Sequence, residues 1–97
     1  MDNIQVLVEF TGISRVLTGQ SEYTLPINKG AVMKDVIKAI GKKYPSLIGE
    51  VIDKDGKSLI PTNLFSINGQ KILHEKQLHY QPEDGDRLIL LSLLAGG

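Results

Sequence analysis

The sequence contains no cysteine and no tryptophan. Without thiols the chain forms no disulfide, offers no thiolate nucleophile and builds no cysteine-based metal site. Charge of either sign is not in excess, because eleven Lys and Arg side chains balance eleven Asp and Glu. The overall electrostatic footprint of a nucleic-acid-binding or anionic-membrane-binding domain is therefore missing, and neither partner is expected. A membrane-spanning helix needs about 20 apolar residues, and the run from Leu88 to Leu94 is far shorter. The amino-terminal stretch has no charged region followed by an apolar one, so no secretory leader is expected and a cytoplasmic location is the default. What remains is ordinary globular composition, 41% apolar and 23% charged. Ninety-seven residues suit one domain with one modest core, spanning 1–97.

The pattern along the chain changes period. Ile4, Val6, Val8 and Phe10 alternate with Gln5, Leu7 and Glu9, as in a half-buried strand. Thr11 to Gly19 reads as a turn or loop punctuated by Gly12 and Gly19. Ser21 to Ile27 reads as a strand pairing back on the first, and Pro26 places it at a sheet edge because proline donates nothing to a ladder. Met33, Val36, Ile37, Ile40 and Tyr44 then recur on one helical face, with Lys34, Lys38 and Lys42 turned away. Gly41 weakens the last turn and Pro45 ends it. Leu47, Ile48, Val51 and Ile52 predict a second, shorter helix closed by the turn Asp53-Lys54-Asp55-Gly56. Strands are expected at Asn63 to Ile67 and Gln70 to Leu73, joined by Asn68-Gly69, a pair suited to the positive φ angles of a type I′ turn. A polar loop ending in Pro82-Glu83-Asp84-Gly85 leads to a last strand, Asp86 to Leu93. This order, ββ-α-(short helix)-ββ-β, predicts an α+β roll: a mixed sheet of about five strands curled over one main helix.

Few residues look like chemistry. Asp53-Lys54-Asp55-Gly56 opens like a calcium loop, but position 12 of an EF-hand would be Leu64, so it reads as a turn. His74 and His79 share no face of a helix or strand and have no third ligand, so they read as surface histidines. Lys42 and Lys43 complement the dipole at a helix C-terminus. No nucleophile, base and oxyanion hole can be assembled, and an autonomous enzyme is not expected.

The end of the sequence is more informative. Arg87-Leu88-Ile89-Leu90-Leu91-Ser92-Leu93 is an apolar strand, followed by Leu94-Ala95-Gly96-Gly97. Glycine lacks a Cβ, so such an end is narrow and can be threaded where a bulkier one would clash. Four extended residues reach roughly 13–14 Å. Alternation puts Leu88 and Leu90 in the core and leaves Ile89, Leu91 and Leu93 on the opposite face. Either a loop or the short helix covers them, or they form an exposed apolar stripe of the kind that marks a partner site.

Taken together, the first strand and its partner, the helix after Lys29-Gly30-Ala31, the Ile67-Asn68-Gly69 turn, Asp84-Gly85-Asp86 and Ala95-Gly96-Gly97 resemble the ubiquitin-like β-grasp sulfur carriers. Within them the chain is most similar to the small subunit of molybdopterin synthase. The thiamine-pathway carrier is shorter and lacks the segment around Pro45 to Asp55. The resemblance implies that an E1-like activating enzyme uses ATP to adenylate the Gly97 carboxylate, and that a sulfur-donating enzyme converts it to a thiocarboxylate. The tail would then enter the large synthase subunit and give sulfur to a pterin precursor, with no cofactor bound by the chain itself. Carried over, Gly97 bears the reactive carbonyl and Gly96 and Ala95 form the thread, while Leu94, Leu93, Leu91 and Ile89 contact the partner. The missing cysteine fits this scheme, since sulfur could ride only on the terminal carboxylate. The sequence departs from the family pattern at Val32, where a threonine cap is usual, near Leu93, where proline is common, and in the loop His74 to Tyr80. Conjugation of Gly97 to target lysines, sulfur carriage for another pathway and a bare interaction domain are the alternatives left open.

Overall fold

The computed structural model describes residues 2–74 and 77–93. Five strands and two helices follow one another as β1 (Asn3–Phe10), α1 (Gly12–Thr18), β2 (Glu22–Asn28), α2 (Met33–Lys43), a short 3-10 turn (Pro45–Leu47), β3 (Asn63–Ile67), β4 (Lys71–Leu73) and β5 (Arg87–Ser92). The strands form one mixed sheet in the order β2-β1-β5-β3-β4. β1 and β5 run parallel at its centre and the other pairs are antiparallel. β2, with Pro26, is indeed an edge. This is the ubiquitin-like β-grasp arrangement.

Strand parity builds the core. Val6, Val8 and Phe10 of β1, Leu25 and Ile27 of β2, Phe65 of β3 and Leu88 and Leu90 of β5 are all buried. They meet Met33, Val36, Ile37 and Ile40 from the apolar stripe of α2, together with Leu47, Val51 and Ile52. Fully burying one such side chain contributes about 1.5–3 kcal/mol. At the C-terminal end of α2, Tyr44 stands edge-on to both Phe10 and Tyr23, with ring centroids 5.3 and 5.6 Å apart. Burial, and then the neighbouring Tyr23, raise the Tyr44 hydroxyl above its ordinary pKa.

Two expectations need correction. Thr11 to Gly19 is not a loop: it holds α1, a seven-residue helix. Its two glycines bound the helix rather than break it. Gly12 (φ 55°) opens it, and Gly19 takes the left-handed conformation (φ 69°) and donates its N–H to the Arg15 carbonyl at 2.9 Å. The Ser14 hydroxyl accepts the Thr11 N–H at 3.1 Å and donates to the Thr11 carbonyl at 2.8 Å. The second helix expected at Leu47–Ile52 is only the 3-10 turn, because Gly49 adopts φ 90° and leaves helical space. The Leu47 carbonyl instead receives N–H groups from Glu50, Val51 and Ile52 at 3.2, 2.9 and 2.9 Å. Gly41 also has a role beyond weakening its helix. A Cβ there would lie 2.8 Å from Ile48 Cδ1 and 3.4 Å from Ile52 Cδ1, so its absence lets the 45–52 segment close on α2.

The Asn68-Gly69 turn has the expected left-handed pair, φ 55° and 71°. A buried carboxylate holds that turn to the loop before β5. Asp86 accepts from Asn68 Nδ2 at 3.0 Å, from the Glu83 N–H at 2.8 Å and from the Tyr80 hydroxyl at 3.4 Å. Asn68 Oδ1 in turn accepts the Arg87 N–H at 2.8 Å. The Tyr80 hydroxyl is raised above its usual pKa, first by burial and then by the Asp86 charge. Hydrogen bonds to a charged group contribute about 1.5–3 kcal/mol, and an unsatisfied buried donor adds a desolvation penalty. Asp86→Ala should therefore destabilise the domain by about 2–4 kcal/mol in denaturant unfolding; a loss below about 1 kcal/mol would show that the carboxylate is not the pin.

Candidate functional site

The site grows from the last strand. β5 is held on both sides, its Leu88 and Leu90 pairing with Val8 and Phe10 of β1 and with Ile67 and Phe65 of β3. Both leucines are fully buried, as parity requires. Ile89 and Leu91 point to the other face of the sheet and are half-buried. The helix and the 45–52 segment pack on the concave face, so they do not cover this stripe.

Neighbouring strands widen the stripe into a patch. Leu64 lies opposite Leu91, and Ser66 lies between Ile89 on one side and Ile72 on the other. Ile72 is 49% exposed. On the β1 side the patch is bounded by an ion pair, Arg87 Nε to Glu9 Oε2 at 2.6 Å. Glu9 holds the Arg87 guanidinium more firmly protonated than usual through that hydrogen bond. Leu64 and Ile72 were absent from the sequence-based candidates. The alternation argument applied to β5 would have found Leu64, since it sits on the opposite parity from Phe65.

The strand's hydrogen bonding continues to Leu93, whose N–H donates to the Thr62 carbonyl at 2.6 Å. On the β1 side, the Thr11 hydroxyl donates to the Leu90 carbonyl at 2.6 Å. Leu93 is 59% exposed and borders a depression of about 380 Å³ lined mainly by Leu59, Pro61, Leu64, Phe65, Leu73 and Leu78. Asn63 and His74 supply its polar rim. Across the strand stands α1: a Cβ on Gly12 would lie 4.0 Å from Ser92 Cβ, and Ile13 and Val16 of this helix are exposed. The chain thus leaves Leu93 on the rim of an apolar depression, one residue beyond Ser92, which α1 approaches. Leu94, Ala95, Gly96 and Gly97 lie outside the described residues.

The remaining candidates resolve as structure. Asp53 accepts the Gly56 N–H at 2.8 Å through its carbonyl, closing a turn in which Gly56 has φ 72°. Asp55 receives the Lys57 N–H at 2.8 Å, which lowers its carboxyl pKa. His74 and His79 are exposed. Among the described residues no three His, Asp or Glu side chains cluster as metal ligands, and no helix is long and apolar enough to cross a membrane.

The two faces of β5 should separate by mutation. Leu90→Asp buries a charge in the core and is expected to cost about 4 kcal/mol or more, enough to unfold the domain. Leu91→Asp sits on the outer face and should cost about 1 kcal/mol or less. Thermal melts in which Leu91→Asp proved the more damaging would reverse the assignment of faces.

No family model matches the chain. It is 24% identical over 94 residues to small archaeal modifier protein 3 of Haloferax volcanii, an alignment covering 97% of this chain and all of that protein. The solution structure of small archaeal modifier protein 1 from Methanosarcina acetivorans superposes with a TM-score of 0.76 at 26% identity, covering both chains completely. A putative molybdopterin converting factor, subunit 1, from Pyrococcus furiosus superposes with a TM-score of 0.69 at 22% identity, covering 92% of this chain and 97% of that one. The chain is thus a ubiquitin-like β-grasp protein, similar over nearly its whole length to the small archaeal modifiers and to a molybdopterin converting factor subunit.

Proposed function

We propose that this protein is a carrier whose Gly97 carboxylate is activated by an E1-like enzyme and then bears sulfur as a thiocarboxylate for molybdopterin or tungstopterin synthesis. The observation that carries the reading is the uncovered apolar patch of Ile89, Leu91, Leu64 and Ile72, which runs along β5 to the exposed Leu93. Four residues beyond Leu93 the sequence ends in Gly96-Gly97. A partner gripping the patch would hold the root of the tail while the tail enters its active site. The likeness to a protein called a molybdopterin converting factor subunit supports this choice of pathway.

The chemistry follows from what the chain offers. A free carboxylate is a poor electrophile. Its attack on the α-phosphorus of ATP expels pyrophosphate and leaves an acyl adenylate. Hydrosulfide delivered by the sulfur-donating enzyme then adds to the carbonyl and AMP departs, leaving the thiocarboxylate with no change of oxidation state. Glycine at positions 96 and 97 leaves that carbonyl unhindered. The large synthase subunit would receive the thiocarboxylate and supply the catalytic groups.

A second reading uses the same adenylate: the carbonyl of Gly97 is attacked by a lysine amine of a target protein, giving an isopeptide bond. The similarity to proteins named modifiers favours it. The two are separated by the fate of the activated end. Incubation with ATP, the activating enzyme and a sulfide source should add the mass of one oxygen-to-sulfur exchange, located in the C-terminal peptide. That gain should vanish when the large synthase subunit and pterin precursor are supplied. Lysine adducts carrying a Gly-Gly remnant, without discharge onto pterin, would instead establish the modifier; neither result would leave an interaction domain.

Removing Gly97 should abolish ATP–pyrophosphate exchange while leaving the melting temperature within about 1 °C, because the residue follows the last strand in sequence and has no side chain to bury. Wild-type exchange by the truncated chain would overturn the role of Gly97.

A further inference from the structure

We propose that the exposed back of α2 is a second docking surface, on which Lys34, Lys38 and Lys42 receive an acidic protein segment. The three lysines recur at i, i+4 and i+8 and are exposed, while Met33, Val36, Ile37 and Ile40 bury the opposite side of the same helix. At 1.5 Å rise per residue, successive lysines stand about 6 Å apart along the axis.

Folding stability accounts for only part of this ladder. Like charges at i, i+4 spacing destabilise a helix, and the arrangement occurs twice here. Lys34 lies in the first turn, where the helix dipole disfavours a cation. The dipole explains Lys42 and Lys43 in the last turn but neither Lys34 nor Lys38. Among the described residues the one ion pair is Arg87–Glu9, on the sheet, so none of the three lysines is paired. The helix's single acid, Asp35, accepts the Val32 N–H at 2.9 Å and, as one carboxylate, offsets at most one of the three lysines. The whole chain is neutral, so the ladder is not a by-product of basic composition.

The charge and spacing specify the occupant. A helical segment with carboxylates every four residues repeats at the same interval of about 6 Å and meets each ammonium in turn. A protein fits better than a nucleic acid. The exposed face of α2 has no aromatic side chain on which a base could stack. Because α2 packs on the concave face of the sheet, its exposed Lys34, Lys38 and Lys42 lie away from the Leu91 patch on the opposite face. The surface can therefore hold an acidic partner independently of the tail, and it stands whether or not Gly97 carries sulfur.

An isotope-labelled full chain titrated with an alanine-based helical peptide bearing glutamate at every fourth position tests this. Amide shifts should concentrate in residues 33–43, and affinity should fall as salt rises. The glutamine version of the peptide should bind at least tenfold more weakly. Combined reversal of Lys34, Lys38 and Lys42 to Glu should also weaken binding roughly tenfold or more. Lys34→Glu alone provides the sharper signature: it should raise the melting temperature by about 2–4 °C, through the dipole and a new Glu–Lys pair, while weakening the peptide. Leu91→Asp should leave binding intact. Equal binding of the glutamine peptide, shifts centred on β5, or Lys34→Glu stabilisation without loss of affinity would each overturn the proposal. Tighter binding of a uridine oligonucleotide at the same residues would replace it with a nucleic-acid site.

Discussion

The structure depends on the parallel pairing of β1 with β5 at the centre of the sheet. Strands near the two ends of the sequence lie side by side, from Leu7 opposite Arg87 to Phe10 opposite Leu90. A parallel pair cannot be closed by a hairpin and needs a long crossover. That crossover contains α2, which covers the concave face it must cross. The Leu7 N–H donating to the Asp86 carbonyl at 2.9 Å opens the register, and the Thr11 hydroxyl on the Leu90 carbonyl closes it. Because side chains alternate with a period of two, this register alone decides which leucines of β5 enter the core. A slip of one residue would bury Ile89 and Leu91 and expose Leu88 and Leu90.

One strand therefore does two jobs with alternate residues. Leu88 and Leu90 stabilise the fold, and their replacement by anything polar is a folding defect. Ile89 and Leu91 contribute less to the core and remain available on the surface, where Leu64 and Ile72 join them across the strands. Such a patch would be an aggregation hazard on a long exposed sheet edge. Here it lies on the face of central strands whose backbone groups are already paired, with β2 and β4 outside them. Apolar side chains are offered without offering an unpaired edge.

Periodicity made most of the fold legible before any coordinates. Met33 to Tyr44, Asn63 to Ile67 and the Asn68-Gly69 turn were readable because their spacing and their backbone demands agreed. Thr11 to Gly19 was not, because a seven-residue helix has too few turns for its period to outweigh two glycines. In that segment Gly19 is a cap, and a left-handed cap looks like a loop when only residue type is visible. Leu47 to Ile52 failed for the opposite reason. Its apolar spacing was helical, but burial of Leu47, Val51 and Ile52 is achieved through turns around Gly49. The stripe on β5 was legible from alternation, whereas Ile72 and the depression beside Leu93 arise from the order of strands, which local patterns do not encode. Asp86 reads in sequence only as the start of the last strand, because its partners Asn68 and Tyr80 are remote or unremarkable in sequence.

Sulfur carriage and protein conjugation begin with the same acyl adenylate, so neither the glycine end nor its activation distinguishes them. What distinguishes them is the protein that receives the activated end. On the reading proposed here, that choice rests with surfaces upstream of Leu93. The outer sheet face supplies an apolar patch fixed by register, and the back of α2 supplies a ladder of cations whose first member, Lys34, stands against the helix dipole. These surfaces lie on opposite sides of the domain, separated by the core. On that reading, a partner bound to the first leaves the second free, so a neutral, cysteine-free chain can engage two partners of unlike chemistry at once.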